Sequence, residues 1–219
     1  MNSKLTIGYD AKRIVRNGTG LGSYGRTLVN DLAADDSIRL RLYAPDKGRD
    51  DLRGQIISRE NVTFCYPLTS HSSPLTSSLW RTKGIVKDLQ HDGVQLFHGL
   101  SGELPIGIRK SGINSIVTIH DLIFLRHPEF YHWLDTKIYA WKFRQTIREA
   151  DHIIAISECT KRDIIELGQV DESRISVIYQ SCAPRFAATQ RDGSFVSCDI
   201  IDTKEPALCV AAKRGAQLW

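Results

Sequence analysis

Short runs of β-branched residues alternate along this chain with longer segments of helical periodicity. Residues 5–9 form the first such run. Residues 21–33 form the first helical segment, in which Leu21, Tyr24 and Leu28 recur on one face at spacings of three and four. This alternation is typical of a parallel sheet covered by helices, because parallel strands need a crossover connection. With right-handed crossovers, the pattern predicts an α/β fold with a doubly wound, Rossmann-like sheet.

The same patterns locate the remaining elements. The polar, glycine-containing stretch between the first strand and the first helix predicts a loop. Residues 38–42 alternate strictly between apolar and charged side chains, which predicts a strand with one solvent-exposed face near the sheet edge. Further strands are predicted at residues 62–66, 94–98, 113–119, 153–156 and 175–179, and further helices at residues 79–90, 131–149 and 158–168.

The periodic segments also delimit one domain. The chain has 219 residues, a length that suits one domain with an extension. Residues 1–186 carry the periodic segments and are predicted to form the domain. Residues 187–219 show no sustained period of 3.6 or 2, and a segment this short buries no second core. We therefore predict an irregular tail after residue 186.

Composition narrows the class of protein. Apolar residues make up 42% and charged residues 25%, as in soluble globular proteins. No stretch approaches the roughly 20 apolar residues that span a bilayer, and the apolar run near the start is too short for a signal peptide, so we expect a cytoplasmic protein. A net charge of +4 is too small to indicate a nucleic-acid partner. The five cysteines include no C-x-x-C pair, which indicates reduced thiols.

A glycine-rich loop is the first candidate for a ligand site. It contains Gly18, Gly20 and Gly22, and glycines let backbone N–H groups approach a phosphate closely at a helix N-terminus. Residues 20–25 also match the dinucleotide pattern G-x-G-x-x-G, which on its own would suggest a nicotinamide dehydrogenase. That pattern should follow the first strand directly, but residues 11–19 intervene. A flexible loop without a ligand is the alternative interpretation.

Two histidines stand at the carboxyl ends of neighbouring predicted strands. His98 is followed by Ser101 and Glu103, and His120 is followed by Asp121. A histidine at such a position can donate to a sugar hydroxyl or a phosphate, and it titrates near neutral pH. A purely structural role is about equally plausible for each ring. A metal site would need more convergent ligands than these loops offer, so we predict none.

The predicted helix at residues 131–149 is both aromatic and basic. One interpretation is a helix that lies on an anionic membrane surface. The interpretation we favour is a core helix whose basic face is solvated. In that interpretation the buried stripe consists of Leu134, Ile138 and Trp141, widened by Tyr139, Phe143 and Ile147.

Six short segments occur along the chain in a characteristic order and spacing. The set as a whole is far more specific than any one segment. The segments are residues 8–11 (GYDA), 18–24 (GTGLGSY), 97–101 (FHGLS), 117–122 (VTIHDL), 150–157 (ADHIIAIS) and 175–179 (ISVIY). Together they resemble the amino-terminal domain of the retaining GT-B glycosyltransferases of family 4 (GT4). The likeness covers roughly residues 4–186.

The resemblance implies an enzyme that transfers a sugar from a nucleotide-sugar donor to a glycan or lipid-linked acceptor, without a metal ion or other cofactor. Gly18, Gly20 and Gly22 would lie near the donor diphosphate or the transferred sugar. His120 would contact that sugar near the reacting carbon, where it orients and polarises. The acceptor side would be formed by His98, Ser101, Glu103 and Asp121.

The chain departs from the family pattern after residue 186. The carboxyl-terminal domain of such enzymes supplies an Arg/Lys pair for the diphosphate and a glutamate pair for the ribose and sugar, and residues 187–219 contain neither. We therefore expect a truncated product that is inactive alone. Its expected partners are the substrates, a separate donor-domain subunit and the inner face of the membrane as a peripheral contact. The alternative is a non-catalytic module that binds an acceptor or depends on a partner.

Overall fold

Seven parallel strands form one sheet in the computed structural model of the protein, which describes residues 4–67 and 74–180. The predicted α/β fold with a doubly wound, Rossmann-like sheet is confirmed. The strands are β1 (Leu5–Asp10), β2 (Ile38–Tyr43), β3 (Val62–Cys65), β4 (Leu96–Gly99), β5 (Asn114–Ile119), β6 (His152–Ala155) and β7 (Ile175–Val177). Their order across the sheet is β3-β2-β1-β4-β5-β6-β7.

The order of the strands reverses between β1 and β4, which lie side by side. Tyr9 of β1 pairs in register with His98 of β4, so both strands end close together at the carboxyl edge of the sheet. In open α/β sheets such a reversal leaves a crevice in which ligands bind, because the connections leave in opposite directions. The fold therefore points to this edge as the place for a site.

The central strands are covered on both faces. Every residue of β4 is buried, and in β5 only Asn114 is less than fully buried. Near-continuous apolar runs are expected where helices cover both sides of a parallel sheet. By contrast, β2 lies next to the edge strand β3 and leaves Arg39 exposed. The predicted wet face near the sheet edge is confirmed.

Helices divide the core into two clusters, one on each face of the sheet. Val29 and Leu40 belong to one cluster, and Leu89 and Val117 to the other. Burial of each such side chain stabilises the fold by roughly 1.5–3 kcal/mol. The α-helices are α1 (Lys12–Arg16), α2 (Gly20–Leu32), α3 (Asp50–Arg53), α4 (Pro74–Leu79), α5 (Ile85–His91), α6 (Ile123–Arg126), α7 (Trp133–Glu149) and α8 (Glu158–Gly168).

Several stretches differ from the sequence prediction, among them the short helices α3 and α6, which were not predicted. Part of the predicted loop after β1 forms the short helix α1, which buries Ile14 and Val15. Two apolar residues among basic ones are too few to produce a detectable period. The helix predicted at residues 79–90 begins earlier, at Pro74, and is interrupted by a π-helical segment at Trp80–Gly84.

The interpretation of the helix at residues 131–149 as a core helix was wrong in its details. The supposed core residues Leu134, Ile138 and Trp141 are 47%, 49% and 52% exposed. Of the residues predicted to widen the stripe, Phe143 is buried as predicted and Tyr139 is 42% exposed. The buried residues of α7 are Ala140, Phe143 and Thr146. Ala140 lies at the middle of the helix and Phe143 and Thr146 in its carboxyl-terminal half, so this part of the helix packs on the sheet. The amino-terminal half extends past the core and leaves its apolar residues uncovered.

The predicted domain boundary at residue 186 and the tail at residues 187–219 lie outside the described residues. Within the described ranges, no helix is both long enough and apolar enough to cross a bilayer. Cys65 and Cys159 are free thiols there.

Candidate functional site

A charged pocket lies at the carboxyl edge, where β1 and β4 end. Asp10 comes from the end of β1, Glu103 from the loop after β4, Arg81 from the π-helical segment and Lys142 from α7. The cavity encloses about 100 Å³. It opens where the strand order reverses, the position at which this class of sheet binds ligands.

Arg81 is the centre of the pocket. Its guanidinium donates through Nε to both carboxylate oxygens of Asp10, at 3.2 and 3.0 Å, and through Nη2 to Asp10 Oδ2. The same Nη2 lies 3.5 Å from Glu103 Oε2. Lys142 Nζ donates to the other oxygen of Glu103 at 2.8 Å. Arg81 thus forms ion pairs with Asp10 and Glu103, and Lys142 forms one with Glu103. Glu103 is the more exposed of the two acids.

The π-helical segment gives Arg81 its position. Trp80 donates through its indole N–H to Asp88 Oδ2 at 2.7 Å and is buried, which anchors the segment in the core. A π-helical turn inserts one extra residue and changes the direction of the side chains that follow. Such insertions occur frequently at functional sites.

Asp10, Arg81 and Lys142 are site residues that sequence reasoning missed. Asp10 carries a signal that could have found it, since it is an acid at the carboxyl end of a strand, the position by which His98 and His120 were chosen. Arg81 and Lys142 carry none, because each meets its partner only through the tertiary fold. Arg81 lies 71 positions from Asp10 in the sequence, and Lys142 lies 39 from Glu103.

The glycine loop is held in shape by Asn17. Its Oδ1 accepts hydrogen bonds from the amides of Thr19 at 2.9 Å and Gly22 at 3.2 Å, and from the Thr19 hydroxyl at 2.7 Å. In the part of the chain that the structure describes, the amides of Gly20 and Leu21 at the start of α2 have no hydrogen-bond acceptor. These amides and the helix dipole form an environment that suits an anion.

Arg26 fixes the other side of this loop. The side chain is buried and donates through Nη1 to the carbonyls of Ile14, at 2.8 Å, and Asn17, at 2.9 Å. Its Nε donates to Gln55 Oε1 at 3.0 Å. A cation at the carbonyl end of α1 is favourable because of the helix dipole. The loop is therefore preorganised.

The three glycines differ in their surroundings. Gly18 and Gly20 are exposed, and a Cβ at Gly20 would meet nothing within 4 Å. Gly22 is buried, and a Cβ there would lie 1.9 Å from the Asn17 carbonyl oxygen. Residues 20–25 lie inside α2 and not in a strand-to-helix turn. The dinucleotide pattern therefore lacks the geometry that would make it a nicotinamide site.

His120 lies directly after β5, next to the start of α2. Its Nε2 donates to the Leu100 carbonyl at 2.8 Å, and its Nδ1 accepts from the Gln180 amide at 3.0 Å. Its ring meets the ring of Tyr24 from α2 edge-on, with centroids 5.1 Å apart. Burial lowers the pKa of His120, while the hydrogen bond to Leu100 and the charge of Asp121 act in the opposite direction. A neutral ring offers the lone pair of Nδ1 to a ligand.

His98 lies below this layer. Its ring is 4% exposed and its Nε2 shares a hydrogen bond of 2.8 Å with the Thr118 hydroxyl. That hydroxyl is also 3.1 Å from the hydroxyl of Tyr24. The acceptor role predicted for His98 stays a prediction, and the buried ring is connected to the Tyr24 hydroxyl only through the hydroxyl of Thr118.

The buried ring of His98 should make stability depend on pH. Burial, followed by the charge of His120, lowers its pKa from 6.5 to about 3. The folded pKa is below the unfolded one, so this contribution to stability is complete above pH 6.5 and is lost as the pH falls toward 3. The loss is at most about 1.4 kcal/mol per pH unit.

We expect His98→Gln to show a shallower decrease in the free energy of unfolding than the unaltered chain as the pH falls between about 6.5 and 4.5. Urea denaturation at a series of pH values measures this slope. His132→Gln, at an exposed position, is the matched control and should leave the slope unchanged. Equal slopes for His98→Gln and the unaltered chain would contradict the assignment.

Ser101 and Asp121 lie on the loops around His120. Ser101 is half-buried, one residue after the Leu100 carbonyl that holds the His120 ring. Asp121 is exposed and accepts a hydrogen bond from the Ile123 amide at 3.2 Å, where it supports the turn into α6. The structure thus brings His120, Ser101 and the start of α2 together. Glu103, on the same loop as Ser101, lines the charged pocket.

One family model matches most of the chain, and solved structures show a similar fold. Residues 18–181 match the family model described as Glycosyltransferase Family 4. A glycosyltransferase from Rickettsia africae ESF-5 is 14% identical over 86% of this chain and 48% of its own, with a TM-score of 0.48. A lipopolysaccharide outer core galactosyltransferase, WaaB in its apo form, is 14% identical over 82% of this chain and 46% of its own, with a TM-score of 0.50.

No curated protein matches the chain. The chain spans about half the length of each of these two solved structures.

Proposed function

This chain belongs to glycosyltransferase family 4, and on that premise we propose that it forms the acceptor-side half of an enzyme that transfers a sugar from a nucleotide-sugar donor to a glycan or lipid-linked acceptor. The observation that carries the proposal is the meeting of His120, the start of α2 and the charged pocket at one edge of the sheet. A second, donor-binding half faces this edge in the complete enzyme.

The start of α2 stabilises the departing diphosphate. The amides of Gly20 and Leu21 and the helix dipole lie where negative charge develops as the bond to the sugar breaks. The exposed position of Gly18 and Gly20 leaves room for the phosphate groups. Asn17 and Arg26 keep these amides in place before the donor binds, so little reorganisation is needed during the reaction. The proposal involves no metal ion.

His120 orients the transferred sugar. Since its Nε2–H is held by the Leu100 carbonyl, the lone pair of Nδ1 remains to accept a hydrogen bond. A sugar hydroxyl replaces the Gln180 amide at that atom. The lowered pKa of His120 keeps the ring neutral and therefore able to accept at neutral pH. The ring acts as a positioning and polarising group and forms no covalent bond.

The charged pocket receives the acceptor. Glu103 is the more exposed of its two acids, so its carboxylate can accept a hydrogen bond from an acceptor hydroxyl. Arg81 and Lys142 hold that carboxylate in a fixed orientation. Ser101 and Asp121 border the approach from the side of His120, and His98 supports this layer from below.

Replacement of His120 tests the proposal. Sugar transfer is measured with the 219-residue chain alone and with the chain plus a separately expressed donor-binding domain of a family 4 enzyme. We expect transfer only with both parts, and His120→Ala should lower its rate by about 10²-fold. His91→Ala, exposed at the opposite end of the sheet, is the control and should retain the full rate. An unchanged rate for His120→Ala would contradict its role.

A second candidate function is a non-catalytic module that binds an acceptor glycan or pairs with a separate donor-binding subunit. The observation that favours it is the charged pocket, whose lining comes from this chain without a donor-binding half. Calorimetric titration with glycans and a search for a co-purifying subunit test it. No heat of binding and no co-purifying subunit would exclude this candidate.

A further inference from the structure

One face of α7 combines exposed aromatic side chains with cations. Trp133, Lys137, Trp141, Arg144 and Arg148 follow one another at spacings of three or four, so they share one side of the helix. Leu134 borders them, and together these six residues form what we call the α7 face. All six are exposed, and Trp133 is 59% exposed.

The loop before α7 exposes aromatic side chains next to another side of the helix. Phe130 is 73% exposed at the end of a 3₁₀ turn. Tyr131 packs edge-on against Tyr139, with ring centroids 6.4 Å apart, and Tyr139 lies about 120–180° around the helix from the members of the α7 face. The exposed apolar patch is therefore that of the α7 face itself, and contiguous exposed apolar side chains indicate an interaction site.

The acids of α7 lie away from this face. Glu149 accepts hydrogen bonds from the amides of Gly107, at 2.9 Å, and Arg109, at 3.1 Å, and so faces the loop after β4. Asp135 lies about 100–200° around the helix from the members of the face, by its position in the sequence. The α7 face thus carries three cations and no acid. Lys137 lies over the Trp133 ring, with its Nζ 5.0 Å from the ring centroid.

We propose that the α7 face docks the protein on an anionic membrane surface. Tryptophan is favoured at the boundary between lipid headgroups and acyl chains, and interleaved cations bind acidic headgroups. A second copy of this chain fits the face poorly, because a symmetric contact would bring the same three cations together without acids to balance them. An acidic protein partner is the competing occupant that the test addresses.

Docking would also set the orientation of the site. Trp141 lines the charged pocket as well as the α7 face, so the pocket opens next to the lipid surface. This consequence rests on the proposed function, and it selects a lipid-borne acceptor over a free glycan. Vesicle binding itself is measured without donor or acceptor. A chain that binds vesicles but supports no transfer even with the donor-binding domain added would contradict the proposed function alone.

Co-sedimentation of the full chain with vesicles tests the proposal. We expect binding to vesicles that contain one third phosphatidylglycerol, weak binding to pure phosphatidylcholine, and release by high salt. Each cation should contribute about fivefold to the partition coefficient, so the triple variant Lys137→Gln, Arg144→Gln, Arg148→Gln should bind about 100-fold more weakly.

The aromatic contribution is tested by one matched pair of variants. Trp133→Ser should weaken vesicle binding severalfold, whereas Ile57→Ser should not, although Ile57 is 51% exposed on another part of the surface. Circular dichroism establishes that each variant is folded. Equal binding by the triple variant and the unaltered chain would overturn the proposal. So would the absence of binding to anionic vesicles at low salt.

Discussion

Replacing Gly22 by alanine should lower the free energy of unfolding by about 2–4 kcal/mol. A Cβ at this position would lie 1.9 Å from the Asn17 carbonyl oxygen and 2.9 Å from that of Arg13, and both are backbone atoms that cannot rotate away. Alanine has a higher helix propensity than glycine by about 1 kcal/mol, but this gain is smaller than the cost of displacing α1 and the loop. Thermal unfolding followed by circular dichroism measures the effect, at about 2–4 °C per kcal/mol.

Gly20→Ala is the matched control, two residues earlier in the same helix. Its Cβ would enter open space, so we expect stability equal to that of the unaltered chain or slightly higher. If Gly22→Ala proved as stable as Gly20→Ala, the close packing of α2 on the Asn17 loop would be wrong. The pair also separates a glycine that the surrounding protein requires, Gly22, from one that faces open space, Gly20.

Replacing Arg81 by methionine should destabilise the protein by about 3 kcal/mol. The Arg81 side chain is only 13% exposed, and its removal leaves the carboxylate of Asp10 in the pocket without its cation. Methionine retains much of the apolar volume, so the loss reports mainly on the charge. Urea denaturation at neutral pH measures the change in the free energy of unfolding.

A double variant separates the ion pair from packing. Adding Asp10→Asn to Arg81→Met removes the unbalanced charge, so the double variant should be more stable than the sum of the two single effects predicts. Arg49→Met is the control, since Arg49 pairs with Asp51 on the surface and should show no measurable change. Additive effects of the two substitutions would contradict coupling between Asp10 and Arg81.

The sequence allowed part of the candidate site to be predicted. Glu103 and His120 could be located because parallel strands all end at one edge, so a polar residue after a strand falls near the site whatever the rest of the chain does. The glycine loop could be located from its composition, because it too follows a strand and precedes a helix. Arg81 could not be predicted, because its position depends on a π-helical segment and on a partner distant in the sequence.

The two interpretations of α7 show that helical periodicity alone does not predict which side chains are buried. A stripe that contains Leu134, Ile138 and Trp141 fits a core face and a membrane-facing surface equally well, since both need apolar residues at helical spacing. Packing decided which residues of the helix are buried. Phe143 and Thr146 contact the core, and the amino-terminal half of the helix lies beyond it.

By itself, the sequence determined the elements and the class of fold, because β-branched runs, helical spacing and the need for crossover connections act over short distances along the chain. It also determined which loops reach the carboxyl edge of the sheet. The tertiary structure alone decided that Gly22 supports the loop while Gly20 stays open, that Arg81 joins Asp10 to Glu103, and that one face of α7 is left uncovered. Each of these depends on contacts between residues far apart in the chain, and no local pattern encodes such contacts.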